Sequence, residues 1–275
     1  MYTLLATPNM IKWLDKNMKQ FEEFNPNKYV TKCYIGKTKE GGTFNINLFT
    51  TNTITISGSL KKRIYEQLFK QCGEENFIGC DEVGVGDFFG PVVYVSVSFD
   101  KDIIELLSKL NLQIRDSKKL DDQEIIDIYK QVVDIVPFSS QICFDSQIDD
   151  NLNSIGQKVY FHHQNVLNQK KRIIIDLFTT ENSFYKYSKE LNITWPNDII
   201  LKTKADSIYM TVALASIIAR ALFLIEMDKL NKKYQIIFPL GAGNVLPTAR
   251  KFVDLYSKEE LATFCKTSFK TFNEI

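Results

Sequence analysis

The stretch Phe77-Ile78-Gly79-Cys80-Asp81-Glu82-Val83-Gly84-Val85-Gly86-Asp87-Phe88-Phe89-Gly90-Pro91-Val92-Val93 constrains this chain more than any other. An apolar run ends in two adjacent carboxylates, glycines follow at two-residue spacing, and a Gly-Pro turn leads into a second apolar run. The pattern predicts a strand, an acidic strand end, a loop with an open main chain, and a second strand. Two carboxylates at the end of a buried strand are costly unless something positive meets them, and hard divalent cations take oxygen ligands. Glycines let a partner's atoms come close to main-chain N–H groups. Together these residues point to a metal-dependent site for a phosphate-bearing substrate.

The rest of the chain sets the frame. Its 275 residues suffice for one large domain with a smaller one attached. With 44% hydrophobic and 24% charged residues, the composition excludes extensive disorder. The five cysteines, Cys33, Cys72, Cys80, Cys143 and Cys265, lie far apart with no C-x-x-C pair, which fits buried thiols in a reducing compartment. Lys12, Asp15 and Lys16 interrupt any leader-like run, so the expectation is a cytoplasmic protein. Residues 1–70 carry a net charge of +6 and the remainder −5, against +1 for the whole. A basic front segment joined to an acidic-centred body suits a module that gathers a polyanion, although a lysine-rich solvated surface would look the same.

In chain order, residues 9–24 show apolar residues at helical spacing after Pro8-Asn9. Three β-rich runs follow, Tyr29 to Ile35, Thr43 to Phe49 and Thr53 to Ser57, and predict a small antiparallel sheet. A basic helix from near Ser59 then runs to Gly73, where Glu74-Glu75-Asn76 mark a boundary between units at 1–70 and 74–275. Val92 to Phe99 is a strand by its β-branched content, and residues 102–110 are helical. Arg115-Asp116-Ser117-Lys118-Lys119-Leu120 is a loop entering a helix capped by Asp121 or Asp122; read without context, its lysines are solvated.

Gln141 to Phe144 is a strand, and Asn153 to Gln169 is a helix carrying His162 and His163. Adjacent histidines point about 100° apart and cannot grip one metal as an i, i+4 pair does, so packing or surface roles are expected for both. Arg172 to Asp176 is a second buried strand ending in a carboxylate, whereas residues 181–195 read as a surface excursion. Ile208 to Leu230 is the longest apolar stretch. Arg220 and Glu226 within it, and a face of alanines and Ser216, argue for a core helix of a soluble domain and against a membrane span. Asp206 stands where it could cap that helix. Phe238 to Gly243 is a loop, and amphipathic helices follow from about Pro247.

Strand ends converge in an α/β domain, so Asp81, Glu82, Asp176 and Asp206 can share one pocket. Bare, they would raise each other's pKa values. Around two Mg²⁺ ions such a set hydrolyses phosphodiesters without a nucleophilic triad, and no convincing triad is present.

Asp81-Glu82-Val83-Gly84-x-Gly86-Asp87-x-Phe89-Gly90-Pro91 resembles the signature of type 2 ribonucleases H, in particular the ribonuclease HIII branch. So do Asp116 to Leu120, the strand ending in Asp176, Thr203-Lys204-Ala205-Asp206-Ser207, Ala215 to Arg220, and Gly241-Ala242-Gly243, in family order. The resemblance implies an α/β ribonuclease H-like mixed sheet flanked by helices, with a small N-terminal α+β domain similar to the TATA-binding protein. It implies endonucleolytic cleavage of the RNA strand of RNA/DNA hybrids, leaving 3′-hydroxyl and 5′-phosphate ends, with two Mg²⁺ ions or Mn²⁺ in their place. Asp81, Glu82, Asp176 and Asp206 would be the catalytic metal ligands. Gly84, Val85 and Gly86 would meet ribose 2′-hydroxyls, the group that separates RNA from DNA. Ser117, Lys118, Lys119 and Lys204 would lie on the nucleic acid, which replaces the solvated reading of the paired lysines. A monomer is expected, with no membrane and no protein partner.

Three positions depart from the branch: Asp206 stands where it usually has Glu, Leu240 where a lysine often precedes the glycine loop, and Phe161-His162-His163 where Leu-His-Asn is expected. Asp206 leans toward an alternative, cleavage at single ribonucleotides in duplex DNA as in ribonuclease HII. A non-catalytic hybrid-binding protein is a second alternative, though it leaves four retained acidic positions without purpose. A dinucleotide-binding domain fails on spacing, because Gly84-x-Gly86-x-x-x-Gly90 misses G-x-G-x-x-G.

Overall fold

The chain is seen in a computed structural model that describes residues 1–23, 28–110, 112, 114, 117–147, 152–196 and 198–275. The first unit comprises β1 (Tyr2–Leu5), α1 (Pro8–Asn17), β2 (Glu22–Glu23), β3 (Val30–Lys37), β4 (Thr43–Phe49), β5 (Thr53–Ser57) and α2 (Lys61–Phe69). Its strands form an antiparallel sheet in the order β1-β5-β4-β3-β2. Sequence periodicity had three of these strands; β1 and β2 are too short to show any. Alternation decides the inner face: Phe44, Ile46, Leu48, Ile54 and Ile56 point inward. Against them lie Met10 and Leu14 of α1 and Ile64, Tyr65, Leu68 and Phe69 of α2. Thr7 caps α1 through its hydroxyl, with Pro8 at the first turn.

The second unit holds β6 (Phe77–Val83), β7 (Val92–Ser98), α3 (Lys101–Lys109), α4 (Asp122–Val132), β8 (Phe138–Cys143), α5 (Ser154–Val166), β9 (Arg172–Asp176), α6 (Glu181–Glu190) and β10 (Ile199–Lys202). It ends with α7 (Met210–Tyr234), α8 (Leu246–Leu255), α9 (Lys258–Ala262) and α10 (Lys270–Asn273). The sheet order is β10-β9-β6-β7-β8, parallel across β10, β9 and β6 and antiparallel from β6 through β8. Register positions the site. Cys80 pairs with Ile175, so Asp81 and Asp176 leave neighbouring parallel strands at the same level.

Residues 181–195 are not a surface excursion. Most of that stretch is α6, capped by Thr180, with Phe184 fully buried against Trp195. Its helical period is faint because Phe184 and Ser188 are its buried residues and the rest of the face is polar.

α7 meets the length and apolarity of a membrane span, yet 72% of its most apolar window is buried, and it lies across β6 and β7. Its small residues serve close approach: Ala213, Ala215, Ala219 and Ala221 are fully buried. On the strand side, a methyl group added to Gly79 would stand 2.3 Å from the Val212 nitrogen. The buried apolar side chains of the first sheet and, apart from Val212, of α7 belong to one continuous cluster. Polar ties join it: the Leu5 N–H donates to the Ile114 carbonyl at 3.0 Å, and the Tyr65 hydroxyl to the Leu112 carbonyl at 2.7 Å.

Candidate active site

The C-terminal ends of β6 and β9 open into a cleft of about 590 Å³. It is lined by Asp81, Glu82, Gly84, Val85 and Gly86 from β6 and its loop, Asp176 from β9, Ser117 and Lys118 from the turn before α4, and Ser216 and Arg220 from α7.

Asp81 is buried, and its carboxylate accepts from the Glu82 N–H at 2.8 Å and from the Ser216 hydroxyl. Burial first, then the charges of Glu82 and Asp176, push it well above the usual carboxylate range. Asp176 is raised too, by burial and by the charges of Asp206 and Glu82, although the Ala205 N–H donates to it at 3.0 Å. Glu82 goes the other way. Burial alone would raise it, but His162 and Lys158 hold its carboxyl below the usual range. Lys158 Nζ lies 2.9 Å from one oxygen and His162 Nε2 2.9 Å from the other. As the carboxylate accepts, His162 carries its proton on Nε2.

Asp206 does not cap the long helix. It lies in a single 3₁₀ turn, Ala205–Ser207, ahead of α7, where its buried carboxylate faces Lys118 Nζ at 3.8 Å. The cap of α7 is Glu74, whose carboxylate takes the Met210 and Thr211 N–H groups.

Of the residues expected on the nucleic acid, Ser117 and Lys118 are in the cleft, Ser117 within 2.8 Å of the Ser216 hydroxyl. Lys118 also reaches Asp206, at 3.8 Å, from a side chain that is 79% exposed. The side chain of Lys119 and all of Asp116 lie outside the described residues. Lys204 is exposed beside the Asp206 turn with a positive φ of 57°, and does not line the cleft.

The glycine loop is braced from behind. Asp87 Oδ1 accepts from the Gly241 N–H at 2.6 Å, the Phe88 N–H donates to the Gly241 carbonyl, and the buried Lys266 ammonium donates to the Gly90 carbonyl at 2.6 Å. Gly84 has φ 98°, and a Cβ there would lie 2.2 Å from the Pro91 carbonyl oxygen, so the fold itself requires glycine. Gly86 has neither a positive φ nor any atom within 4 Å of an added Cβ. Its bare main chain lines the cleft.

The expectation that His162 and His163 only pack or face solvent is half wrong. His163 does pack, edge-on to Trp195 with Nε2 on the Thr194 carbonyl, but His162 reaches a site carboxylate. Lys158 was missed altogether. The available signal was the i, i+4 spacing of Lys158 and His162 along an otherwise apolar helix face. Arg220, known only as part of a motif, binds Asp122 through Nε and Nη2 at 3.2 and 3.1 Å on the cleft wall.

Among the described residues, no three acidic, histidine or cysteine groups converge on one ion as placed, because both oxygens of Glu82 are turned onto α5. The donor set nevertheless fits hard divalent cations: oxygen ligands, Asp81 and Asp206 buried, and Asp81 and Asp176 both raised by burial and by neighbouring carboxylate charge. Fold and cleft define a carboxylate-based phosphodiester nuclease on a ribonuclease H-like sheet.

The comparisons agree. A family model described as ribonuclease HII matches residues 78–272. A ribonuclease HIII from Bacillus cereus is 34% identical over 210 residues, 72% of this chain and 67% of that one. Its counterpart from Bacillus mycoides is 32% identical over 231 residues, 78% and 73% of the two chains. Among solved structures, Bst-RNase HIII in complex with Mn²⁺ superposes with a TM-score of 0.70 at 23% identity, covering 99% of this chain and 97% of that one. The chain belongs to the ribonuclease HIII branch of the type 2 ribonucleases H. Its reaction is endonucleolytic cleavage of RNA in RNA/DNA hybrids.

Proposed function

We propose that Asp81, Glu82, Asp176 and Asp206 hold two divalent cations, Mg²⁺ or Mn²⁺, and that with them the chain cuts the RNA strand to leave 3′-hydroxyl and 5′-phosphate ends. The observation that carries this reading is the placement of Asp81 and Asp176 at the same level of two neighbouring parallel strands, each held above the usual carboxylate range by burial first and then by neighbouring carboxylate charge, a crowding that calls for a cation. When bound, such ions supply an activated water and charge stabilisation at the leaving oxygen. The Mn²⁺ in the complex of Bst-RNase HIII is a point of support from a relative.

The chain's own residues do the rest. Ser216 and the Glu82 N–H fix the Asp81 carboxylate, while the Ala205 N–H fixes Asp176. Gly84, Val85 and Gly86 offer main-chain groups to ribose 2′-hydroxyls, which selects RNA. Ser117 and Lys118 on the cleft wall take the backbone, and Lys119 and Lys204 add further phosphate contacts. Residues 1–70 form a basic substrate-gathering domain similar to the TATA-binding protein, ahead of a catalytic domain at 74–275. The protein works as a cytoplasmic monomer.

The test is Asp81→Asn, assayed for cleavage and for hybrid binding separately. Cleavage falls by at least roughly a thousandfold while hybrid affinity in Ca²⁺ or without metal stays within about threefold. A variant that cuts at the normal rate removes Asp81 from the chemistry.

A further inference from the structure

The clamp on Glu82 has no part in the reaction as derived so far. Lys158 and His162 are one turn apart on α5, and each takes one oxygen of the same carboxylate at 2.9 Å. The contact is out of water: the Lys158 side chain is 13% exposed, that of Glu82 8%, and that of His162 0%. Phe178, two residues beyond Asp176, covers it, with Lys158 Nζ 4.8 Å from the ring centre and the His162 ring stacked on the same phenyl. A lysine so placed is not a solvated surface charge. Nor is it there for stability alone, because a buried ion pair gains little over apolar residues of the same volume.

We infer that Lys158 is a positioning residue that acts as a resident cation. It compensates Glu82 before divalent metal arrives, competes with metal for that carboxylate, and so limits how tightly the site binds metal. The inference rests on the proposed metal site and adds to it a residue that is not a ligand. Two consequences follow from electrostatics. A fixed positive charge within the same low-dielectric pocket opposes entry of a dication, so its removal strengthens metal binding. It also leaves Glu82 buried with one partner fewer, so the metal-free protein loses stability.

The experiment is calorimetric titration of the full-length protein with Mn²⁺, and separately with Ca²⁺, for wild type, Lys158→Met, Lys158→Arg and Asp81→Asn, together with melting temperatures with and without metal. Lys158→Met binds metal at least about threefold tighter than wild type, melts lower without metal, and gains more from saturating metal. Lys158→Arg keeps the charge and stays within about twofold of wild type. Should Lys158→Met prove too unstable to purify, Lys158→Gln takes its place with the same expectation. Equal or weaker metal binding by the neutral variants, while Asp81→Asn loses it, overturns the role of Lys158 and leaves the metal site standing. Unchanged metal binding by Asp81→Asn overturns both.

Discussion

The Glu74 carboxylate accepts the Met210 main-chain N–H at 2.7 Å, which ties the segment leaving the first unit to the first turn of the central helix. Its other oxygen takes the Thr211 N–H and hydroxyl, each at 2.7 Å, and the side chain is almost fully buried. A carboxylate at that end of a helix satisfies donors that have no partner within the helix and is favoured by the helix dipole. Because α7 presses on β6 at Gly79, the contact also sets the level of the strand that carries Asp81 and Glu82.

Glu74→Ala therefore strips three buried donors of their acceptor. The expected loss is about 3 kcal/mol of unfolding free energy, measured by urea denaturation. A loss under about 1 kcal/mol would show that water replaces the carboxylate at no great cost.

Gly84 and Gly86 separate fold from function. Gly84→Ala must place a methyl group against the Pro91 carbonyl at a positive φ, and costs roughly 2–3 kcal/mol. Gly86→Ala meets nothing, and its stability stays within about 0.5 kcal/mol of wild type. If the ribose meets the main chain at Gly86 as proposed, the KM of this variant for a continuous hybrid nonetheless rises roughly tenfold, because the methyl group occupies that approach. Equal KM values for wild type and Gly86→Ala would show that the substrate does not come that close.

Lys266 gives a pH signature away from the carboxylates. Burial lowers its ammonium to about 8, against the nearby charges of Asp87 and Asp145, while it donates to the Gly90 and Pro91 carbonyls. Between about 8 and its ordinary 10.5 the unfolded chain binds the extra proton and the folded chain does not, so stability contributed by this group grows with pH across that window. It is complete above 10.5 and gone once the pH falls below about 8. Wild type should thus gain on Lys266→Met from pH 8 to pH 10.5 in paired denaturant melts. Parallel profiles would mean the amine does not titrate there.

Lys62 and Arg63 are exposed on α2, at the basic face of the first unit. If that unit grips phosphate, the pair Lys62→Gln/Arg63→Gln weakens hybrid binding and lowers the slope of log K against log salt by up to roughly 2. The kcat at saturating hybrid is unchanged. An unaltered salt slope would place the hybrid elsewhere on the protein.

Local signals carried much of this protein. The apolar runs ending at Asp81-Glu82 and at Asp176 announced two strands with acidic C-terminal ends, and the alanine-rich face within residues 208–230 announced a helix pressed on a sheet. Those patterns are written in period and composition, which act over a few residues. Three things were settled only by packing: that Glu74 caps α7, that Ser117 meets Ser216, and that Lys158 and His162 close on Glu82. Each pair joins residues 76 to 137 positions apart, and periodicity tells which face of an element is buried without naming what it is buried against. The sequence by itself determined the strand ends and the chemistry they offer. Tertiary structure decided which neighbours hold those carboxylates, because a charge inside a protein is governed by whatever the fold brings within a few ångströms of it.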